Sequence, residues 1–541
     1  MHIPILIVGG GPAGLTTSIL LSRHGTPSLL VERHPGTSTH PKATGISTRT
    51  MEIFRSWGIE SQIRELALDV RPEGSVRQTL ASPELERRTL GFPDEATART
   101  ISPTRPAVLA QDILEPILVE HARSYSAAAV RFSTELIHVE QDSGGVRATI
   151  LDRTTGETTV VHARYLVAAD GAASPTRQLL GIATHGAPRI GQYLSILFRA
   201  ELGAIITKLD GAGPCCAMYS IVGLGGPAPT VVVPTSRDGR WIVATPWAPN
   251  APSPESLSDT DAIEIVRRVA GVTDLPVTLL DRKLVEIGAE VAERFRDGNV
   301  FLVGDAAHRT APTGATGMNT AIHGAHNLAW KLAAVITGHA GESLLDTYEV
   351  ERRPSGERNL LRSRDQLRDV SGMAADLGVV YTSPAVVRDD AAPVPAVVEP
   401  TDPSRVGGRA PHVWVRVGGV RASTLELGGE RLTLMIDAAA DPWRTAAAHI
   451  RRRFMMPLFV VAIDNQEADD DANDGWLARY RIDSDGAVLI RPDGHIAWRS
   501  RSAVADPEVT LANVLDHVLG FTSDDDVDSP AIGADLKRRS A

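Results

Sequence analysis

Cysteine is nearly missing from the chain: among 541 residues only Cys215 and Cys216 carry thiols. Neighbouring Cα atoms lie about 3.8 Å apart, below the range a disulfide spans, so no structural bridge is expected. Two thiolates are also too few for a thiolate metal centre, and the pair reads as reduced packing residues. Positive charge is not in surplus either. The net charge of −11 excludes a basic face for nucleic acid, and much of the acid falls in 469–471 and 524–526, which read as solvated loops. Long hydrophobic runs are few. The run 454–463 is too short to span a bilayer and contains Pro457. There is no internal repeat, and the expected location is the cytoplasm.

One apolar stretch, Ile5 to Arg33, needs more care. Gly9-Gly10-Gly11-Pro12 breaks the helix that a membrane span would need, and no basic n-region precedes it, so a secretion signal is not expected. What remains is strand, turn, helix and strand. Ile5 to Val8 is a β-branched run of the buried parallel type; Ala13 to His24 has helical spacing of Leu15, Ile19 and Leu20 and ends at Gly25; Ser28 to Val31 is a second strand closed by Glu32. Gly9, Gly11 and Gly14 thus satisfy G-x-G-x-x-G in a βαβ unit, with an acid about twenty residues on. Gly9 permits the turn, Gly11 lets a pyrophosphate approach and Gly14 lets the helix pack closely; Glu32 can accept from a ribose diol. The unit predicts a dinucleotide, FAD or NAD(P).

Two later segments choose between them. Leu166 to Ser174 is an apolar strand ending in Asp170-Gly171, with Arg177 opening the next helix. Phe301 to His308 ends in Gly304-Asp305 and runs on to Pro312-Thr313-Gly314-Ala315-Thr316-Gly317-Met318-Asn319. An acid at a strand end beside a glycine-rich helix start suits a polyol hydroxyl and an anionic ring. NAD(P) has no ribitol chain, so this third element favours FAD. Elsewhere the chain predicts helices over about 48–57 and 111–124, strands over 128–169, a separate antiparallel sheet over 184–284, and helices over 319–336 and after Tyr348. The expected fold class is α/β: a Rossmann-like FAD-binding domain with an inserted β-sheet substrate domain, a helical connection and a C-terminal domain that by family resemblance is thioredoxin-like. Its divisions are 1–183 and 285–388 for the FAD-binding domain and its helices, 184–284 for the sheet domain, 389–404 for a proline-rich linker, 405–520 for the last domain, and 521–541 for an acidic disordered tail.

GGGPAG, AADGAASPTR and GDAAHRTAPTGATGMN, in this order and spacing, resemble the FAD-dependent aromatic hydroxylases, single-component flavoprotein monooxygenases typified by p-hydroxybenzoate hydroxylase. The resemblance extends to about Arg353. It implies that Gly9, Gly11, Pro12, Ala13, Gly14, Glu32 and Arg33 hold adenosine and pyrophosphate. It places Gln111 at the ribityl-phosphate region, Leu136 at adenine, Asp170 between FAD and the nicotinamide cofactor, and Asp305 on ribitol. Pro312, Gly314, Gly317, Met318 and Asn319 would border the isoalloxazine, with His308 nearby. Lys42 stands where the family usually has arginine, which loses the bidentate fork; Ala315 replaces a frequent glycine and Gly324 a common acid. Gly408 to His412 and the strands beyond resemble the thioredoxin-like domain of phenol hydroxylases and aromatic polyketide hydroxylases. No cysteine follows Cys216, so dithiol chemistry is excluded there, leaving a structural or homodimer-forming role.

The chemistry implied by the family is hydride transfer from NAD(P)H, NADPH being slightly preferred, to FAD, addition of O₂ to give a flavin C4a-hydroperoxide, and electrophilic attack on an electron-rich ring. Met218, Tyr219 and Trp247 are candidate substrate contacts. His308, His323 and His326 lack a matching carboxylate, and no metal is expected. The preferred substrate is a multi-ring aromatic polyketide. A simple phenol or hydroxyphenylpropionate hydroxylase, a Baeyer–Villiger monooxygenase and a non-catalytic FAD-dependent binder of an aromatic drug are the alternatives. A flavin halogenase is not expected, because Trp-x-Trp-x-Ile-Pro is missing.

Overall fold

The structure is a computed structural model. It describes all residues except 211–214, 225–227, 313, 315, 365–369, 390–392, 403, 455–456, 465–474 and 522–541. The acidic stretch 469–471 and the tail 522–541 therefore lie outside the described residues.

Four apolar strands set up the first layer. Val300–Leu302, Thr158–Ala168, His2–Val8 and Ser28–Val31 run parallel and in that order, with Ala128–Arg131 beyond them. Leu6 pairs with Leu166 on one side and Leu29 on the other. Both faces are covered, so Ile5, Leu6 and Ile7 have no exposed surface, which explains why these strands read as continuous rather than alternating apolar runs. Helix Pro12–Arg23 packs between helices Gln111–Arg123 and Gly317–Ile336. Its small polar residues permit that closeness by folding back on their own backbone: Thr17 Oγ1 donates to the Ala13 carbonyl at 2.8 Å and Ser22 Oγ to that of Ser18 at 2.8 Å.

The second layer departs from the boundaries drawn on the sequence. Its eight-stranded sheet runs His308–Arg309, Thr278–Ala292, Thr184–Arg199, Arg240–Pro246, Thr230–Pro234, Cys215–Ile221, Val70–Arg77 and Glu86–Thr89. Two strands from 70–89 thus join a sheet expected only over 184–284, and the long strand starting at Thr278 continues to Ala292. The reason is non-local: the polar run VRPEGSVR has no strand periodicity, and it becomes a strand by pairing in parallel with Cys215–Ile221. Helices Leu202–Asp210 and Asp259–Ala270 also lie inside the segment read as β-rich. His40 joins the two layers, with Nδ1 2.9 Å from Asp281 Oδ2 and Nε2 2.8 Å from Ser195 Oγ.

The C-terminal domain has strands Leu458–Ile463, Leu432–Asp437, Ala487–Ile490 and Ile496–Ser500, in that order, the first pair parallel and the rest antiparallel. Helices Asp441–Phe454 and Pro507–Val518 pack on each other. This is the thioredoxin-like order. Leu434, Trp443 and Leu515 belong to the same apolar core as Ile5 and Leu30, so the domain is fused to the first layer through buried surface. Among the described residues no helix is long and apolar enough to cross a membrane.

Candidate functional site

Three loops converge at the carboxyl ends of the parallel strands. Gly9 takes φ +109°, and a Cβ there would lie 2.2 Å from the Ala169 carbonyl oxygen, so the first loop touches the Asp170 loop backbone to backbone. A Cβ on Gly14 would fall 2.0 Å from the Gly9 oxygen, whereas one on Gly11 would meet nothing within 4 Å. The turn and the helix contact are therefore filled by protein, and the space over Gly11 is left open beside the N-terminus of helix Pro12–Arg23. Gly304, at φ +65°, brings the third loop against Ala13. Arg177 ties the last two loops, donating to the carbonyls of Ala306 at 2.9 Å and Ala172 at 3.0 Å.

The acids of this cleft differ in how they are occupied. Glu32 accepts from the Gly10 N–H at 2.6 Å and the His34 N–H at 2.9 Å. Asp170 accepts from Ser174 Oγ at 2.6 Å and Thr176 N–H at 2.9 Å, and so shapes the turn that opens helix Pro175–Leu179. Asp305 is exposed to the cleft and has no protein hydrogen-bond partner among the described residues. Desolvation by the protein around the cleft raises its carboxyl above the ordinary range, with Lys42 and Arg309 opposing the shift. An acceptor so placed suits the hydroxyls of a polyol.

The remaining predicted cofactor residues surround the same cleft. Gln111 Nε2 donates to Glu115 Oε1 at 2.6 Å, while Glu115 Oε2 accepts from Ser38 N–H at 2.7 Å, which clasps the 33–44 loop. Arg33 and Lys42 are exposed, and Leu136 is buried on strand Thr134–Asp142. Pro312 and Gly314 are exposed and Met318 is buried. Thr313 and Ala315 lie outside the described residues. Thr316 caps helix Gly317–Ile336 without a side-chain hydrogen bond, leaving its first-turn N–H groups aimed at this loop. Asn319 instead faces protein: its Oδ1 accepts from Ser47 N–H at 2.9 Å and Thr50 Oγ1 at 2.8 Å, and its Nδ2 donates to Gly45 at 3.0 Å. His308 is buried behind the loop, its ring beside Phe295 and Gly356, and burial pulls its pKa down to about 3.

The three candidate substrate contacts occupy other places. Tyr219 is fully buried in the core of the second sheet, with Arg77 over its ring and its hydroxyl accepting from Cys216 N–H at 2.9 Å. Trp247 Nε1 donates to the Pro252 carbonyl at 2.9 Å. Met218 is half-buried beside Gly74.

A cleft begins at Gly314 and Thr316 and follows one face of helix Gly317–Ile336 past Asn319 and His323 to Asn327. Helix Thr347–Ser363 forms a facing wall with Arg352, Ser355, Asn359 and Arg362, spaced i, i+3, i+7, i+10 on one side. Arg352 Nε and Arg362 Nη1 are buried without a hydrogen-bond partner among the described residues. His323 Nε2 lies 3.1 Å from Thr50 Oγ1 and 3.8 Å from Asp376 Oδ1; Asp376 Oδ2 accepts from Arg49 N–H at 3.1 Å. Burial pushes the Asp376 carboxyl up to about 6, holds the His323 imidazole well below its usual value, and lowers His326 to about 3. The lining thus combines apolar side chains such as Ile53, Phe92 and Met373 with guanidinium cations, neutral imidazoles and the readily protonated Asp376. Sequence reading considered His323 and His326 only as metal ligands and missed Arg352, Arg362 and Asp376. The i, i+3, i+7, i+10 polar face was the available signal.

A glycine cradle open at Gly11, an acid at Asp305 without a partner among the described residues and a helix start without a side-chain cap suit a dinucleotide of the flavin type. Residues 2–363 match the family model for the FAD binding domain, and residues 403–521 that for the aromatic-ring hydroxylase C-terminal domain. The chain belongs to the FAD-dependent aromatic-ring hydroxylases and is a monooxygenase of that family. It is 38% identical to a putative polyketide hydroxylase of Streptomyces halstedii over 96% of this chain and 98% of the relative. It is 36% identical to the tetracenomycin A2 monooxygenase-dioxygenase of Streptomyces glaucescens, again over 96% and 98%. The crystal structure of aklavinone-11 hydroxylase in ternary complex with FAD and aklavinone superposes with a TM-score of 0.84 at 32% identity, covering 96% of this chain and 99% of that one.

Proposed function

We propose that this monooxygenase hydroxylates a polycyclic aromatic polyketide or related phenol, with FAD in the three-loop cleft and the substrate in the adjoining cavity. Glu32, Arg33 and Leu136 hold the adenosine end. Gly9, Gly11, Pro12, Ala13 and Gly14 hold the pyrophosphate together with Lys42 and Gln111, and Asp305 takes the ribitol hydroxyls. Asp170 fixes the loop next to them. Pro312, Gly314, Gly317 and Met318 border the isoalloxazine, and the uncapped start of helix Gly317–Ile336 directs positive dipole toward its electron-rich edge. Bound FAD supplies electron transfer and oxygen activation; the protein positions the ring, excludes water and stabilises charge.

The observation that carries this reading is continuity: the cavity opens on Gly314 and Thr316, the loop assigned to the flavin, and extends from there along a helix. The positive charge of Arg352 and Arg362 along its wall favours an ionised phenol, the form that reacts best with electrophilic oxygen, while Asp376 offers a nearby proton acceptor. The reductant is NAD(P)H, with NADPH preferred, and O₂ is the co-substrate; the protein acts in the cytoplasm, and a homodimer is compatible with this site. The test is anaerobic reduction of the FAD-loaded protein followed by oxygen and a set of polycyclic phenols. A product heavier by one oxygen atom, with NAD(P)H oxidation stimulated by the phenol, is expected. Oxidation that ignores every phenol would leave only a binder.

A further inference from the structure

The cavity does not end within the FAD-binding domain. Its far wall comes from the thioredoxin-like domain, through Arg409, Asp493 and His495, beside Arg49, His326 and Asn327. Asp493, Gly494 and His495 lie in the hairpin joining strands Ala487–Ile490 and Ile496–Ser500. Gly494 turns at φ +75°, and a Cβ there would lie 2.8 Å from Arg49 Nη2, so the hairpin tip abuts the other domain.

Charged groups hold that tip in place. Arg49 Nη2 donates to the Asp493 carbonyl at 2.6 Å and Asn327 Nδ2 to Asp493 Oδ2 at 3.0 Å. Arg409 pairs with Glu52, which also takes Arg49 at 2.9 Å. Arg491 reaches both oxygens of Glu351, at 2.6 and 2.8 Å, with no exposure of either side chain. The His495 ring stacks on Tyr381 with centroids 4.2 Å apart and planes 25° from parallel. His495 Nδ1 donates to the Gly407 carbonyl at 3.0 Å, which leaves Nε2 an acceptor.

Resting on the polycyclic-substrate reading, we propose that the C-terminal domain is the end wall of the substrate cavity, and that His495, on its Tyr381 platform, contacts the substrate ring farthest from the flavin and sets substrate length. Asn319 and Asn327 are eight positions apart on their helix, about 12 Å at 1.5 Å per residue. That span matches the long axis of a linear four-ring aromatic, so a two-ring guest seated at the flavin end stops short of His495. The domain lacks cysteine and needs no redox role; it serves as a shaped, rigid boundary.

The test uses the FAD-loaded full chain and two ligands: 1-naphthol, with two rings, and hydroxynaphthacenequinone, with four. Binding is read from perturbation of the flavin spectrum, and flavin content checks each variant. In His495→Trp, which fills the far end, four-ring affinity is expected to fall about tenfold or more, with naphthol changed less than about twofold. His495→Ala, which removes the contact without adding bulk, should weaken the four-ring ligand about fivefold and spare naphthol. Equal loss for both ligands, or loss for neither, overturns the end-wall role and leaves the polycyclic reading standing. Wild-type protein that binds naphthol but not the four-ring phenol overturns both.

Discussion

Gly11 and Gly14 sit three residues apart and answer to different constraints. A methyl on Gly14 collides with the Gly9 carbonyl, whereas one on Gly11 enters empty space. Gly14→Ala should therefore lower the thermal midpoint of the FAD-free protein. Gly11→Ala should leave that midpoint within about a degree or two, because surface changes are nearly neutral, while weakening FAD binding about tenfold or more through the blocked pyrophosphate approach; flavin fluorescence titration separates the two. Asp305→Ala should lose bound yellow flavin; retained flavin content and turnover would refute its role. Asp376 gives a pH test. Its folded pKa of about 6 exceeds the unfolded value near 3.8, so between those values the folded state keeps a proton that the unfolded state has released. Stability attributable to Asp376 therefore falls as pH rises through this window, and its ionised form costs up to about 3 kcal/mol above it. Asp376→Asn should be more stable than wild type at pH 7.5, with the gain vanishing near pH 4, as measured by urea denaturation.

Among the elements, helix Thr347–Ser363 performs two tasks on different faces. One side lines the cavity with Arg352, Ser355, Asn359 and Arg362; another directs Glu351 into a buried cluster with Lys331, Arg491 and Asp493. Lys331 Nζ sits 2.8 Å from Glu351 Oε2, and burial lowers its pKa to about 8, while the cations hold the Glu351 and Asp493 carboxyls far below their usual range against the cost of burial. Removing one partner leaves an uncompensated charge in the interior. Arg491→Met should cost about 3–5 kcal/mol, read as a lower urea midpoint. A loss below about 1 kcal/mol would mean that the cluster relaxes or hydrates.

For the molecule as a whole, burial has made several histidines resistant to protonation. His308 and His326 are held near 3 and His495 near 4, against about 6.5 when unfolded. As pH falls below 6.5 the unfolded chain takes up protons that the folded one refuses, so stability is full above 6.5 and declines toward pH 4. The urea midpoint should fall clearly between pH 7.5 and pH 5, and His308→Leu should flatten that slope. A midpoint constant across the range would show that these rings are hydrated in solution.

The opening βαβ unit was legible because everything that defines it is local: strand Ser28–Val31 and the helix that begins at Pro12 follow from periodicity, Pro12 at the helix start and glycine spacing. The terminal domain was legible through its apolar strands and its resemblance to thioredoxin-like domains, and Asp305 was legible as an acid at a strand end, its role toward ribitol being a proposal. Strand Val70–Arg77 was not, since only its partner at Cys215–Ile221 makes it a strand. Tyr219, a candidate substrate contact whose residue type also suits a core, is fully buried in the second sheet, a distinction that depends on which face of a sheet its neighbours cover. The cavity is the extreme case: Arg49 meets Asp493 across 444 residues, and no window of sequence contains both. A dinucleotide could be inferred from one short stretch, and FAD from two more, because backbone turns encode them locally, whereas the shape that receives the substrate exists only where helices and a distant hairpin are packed together.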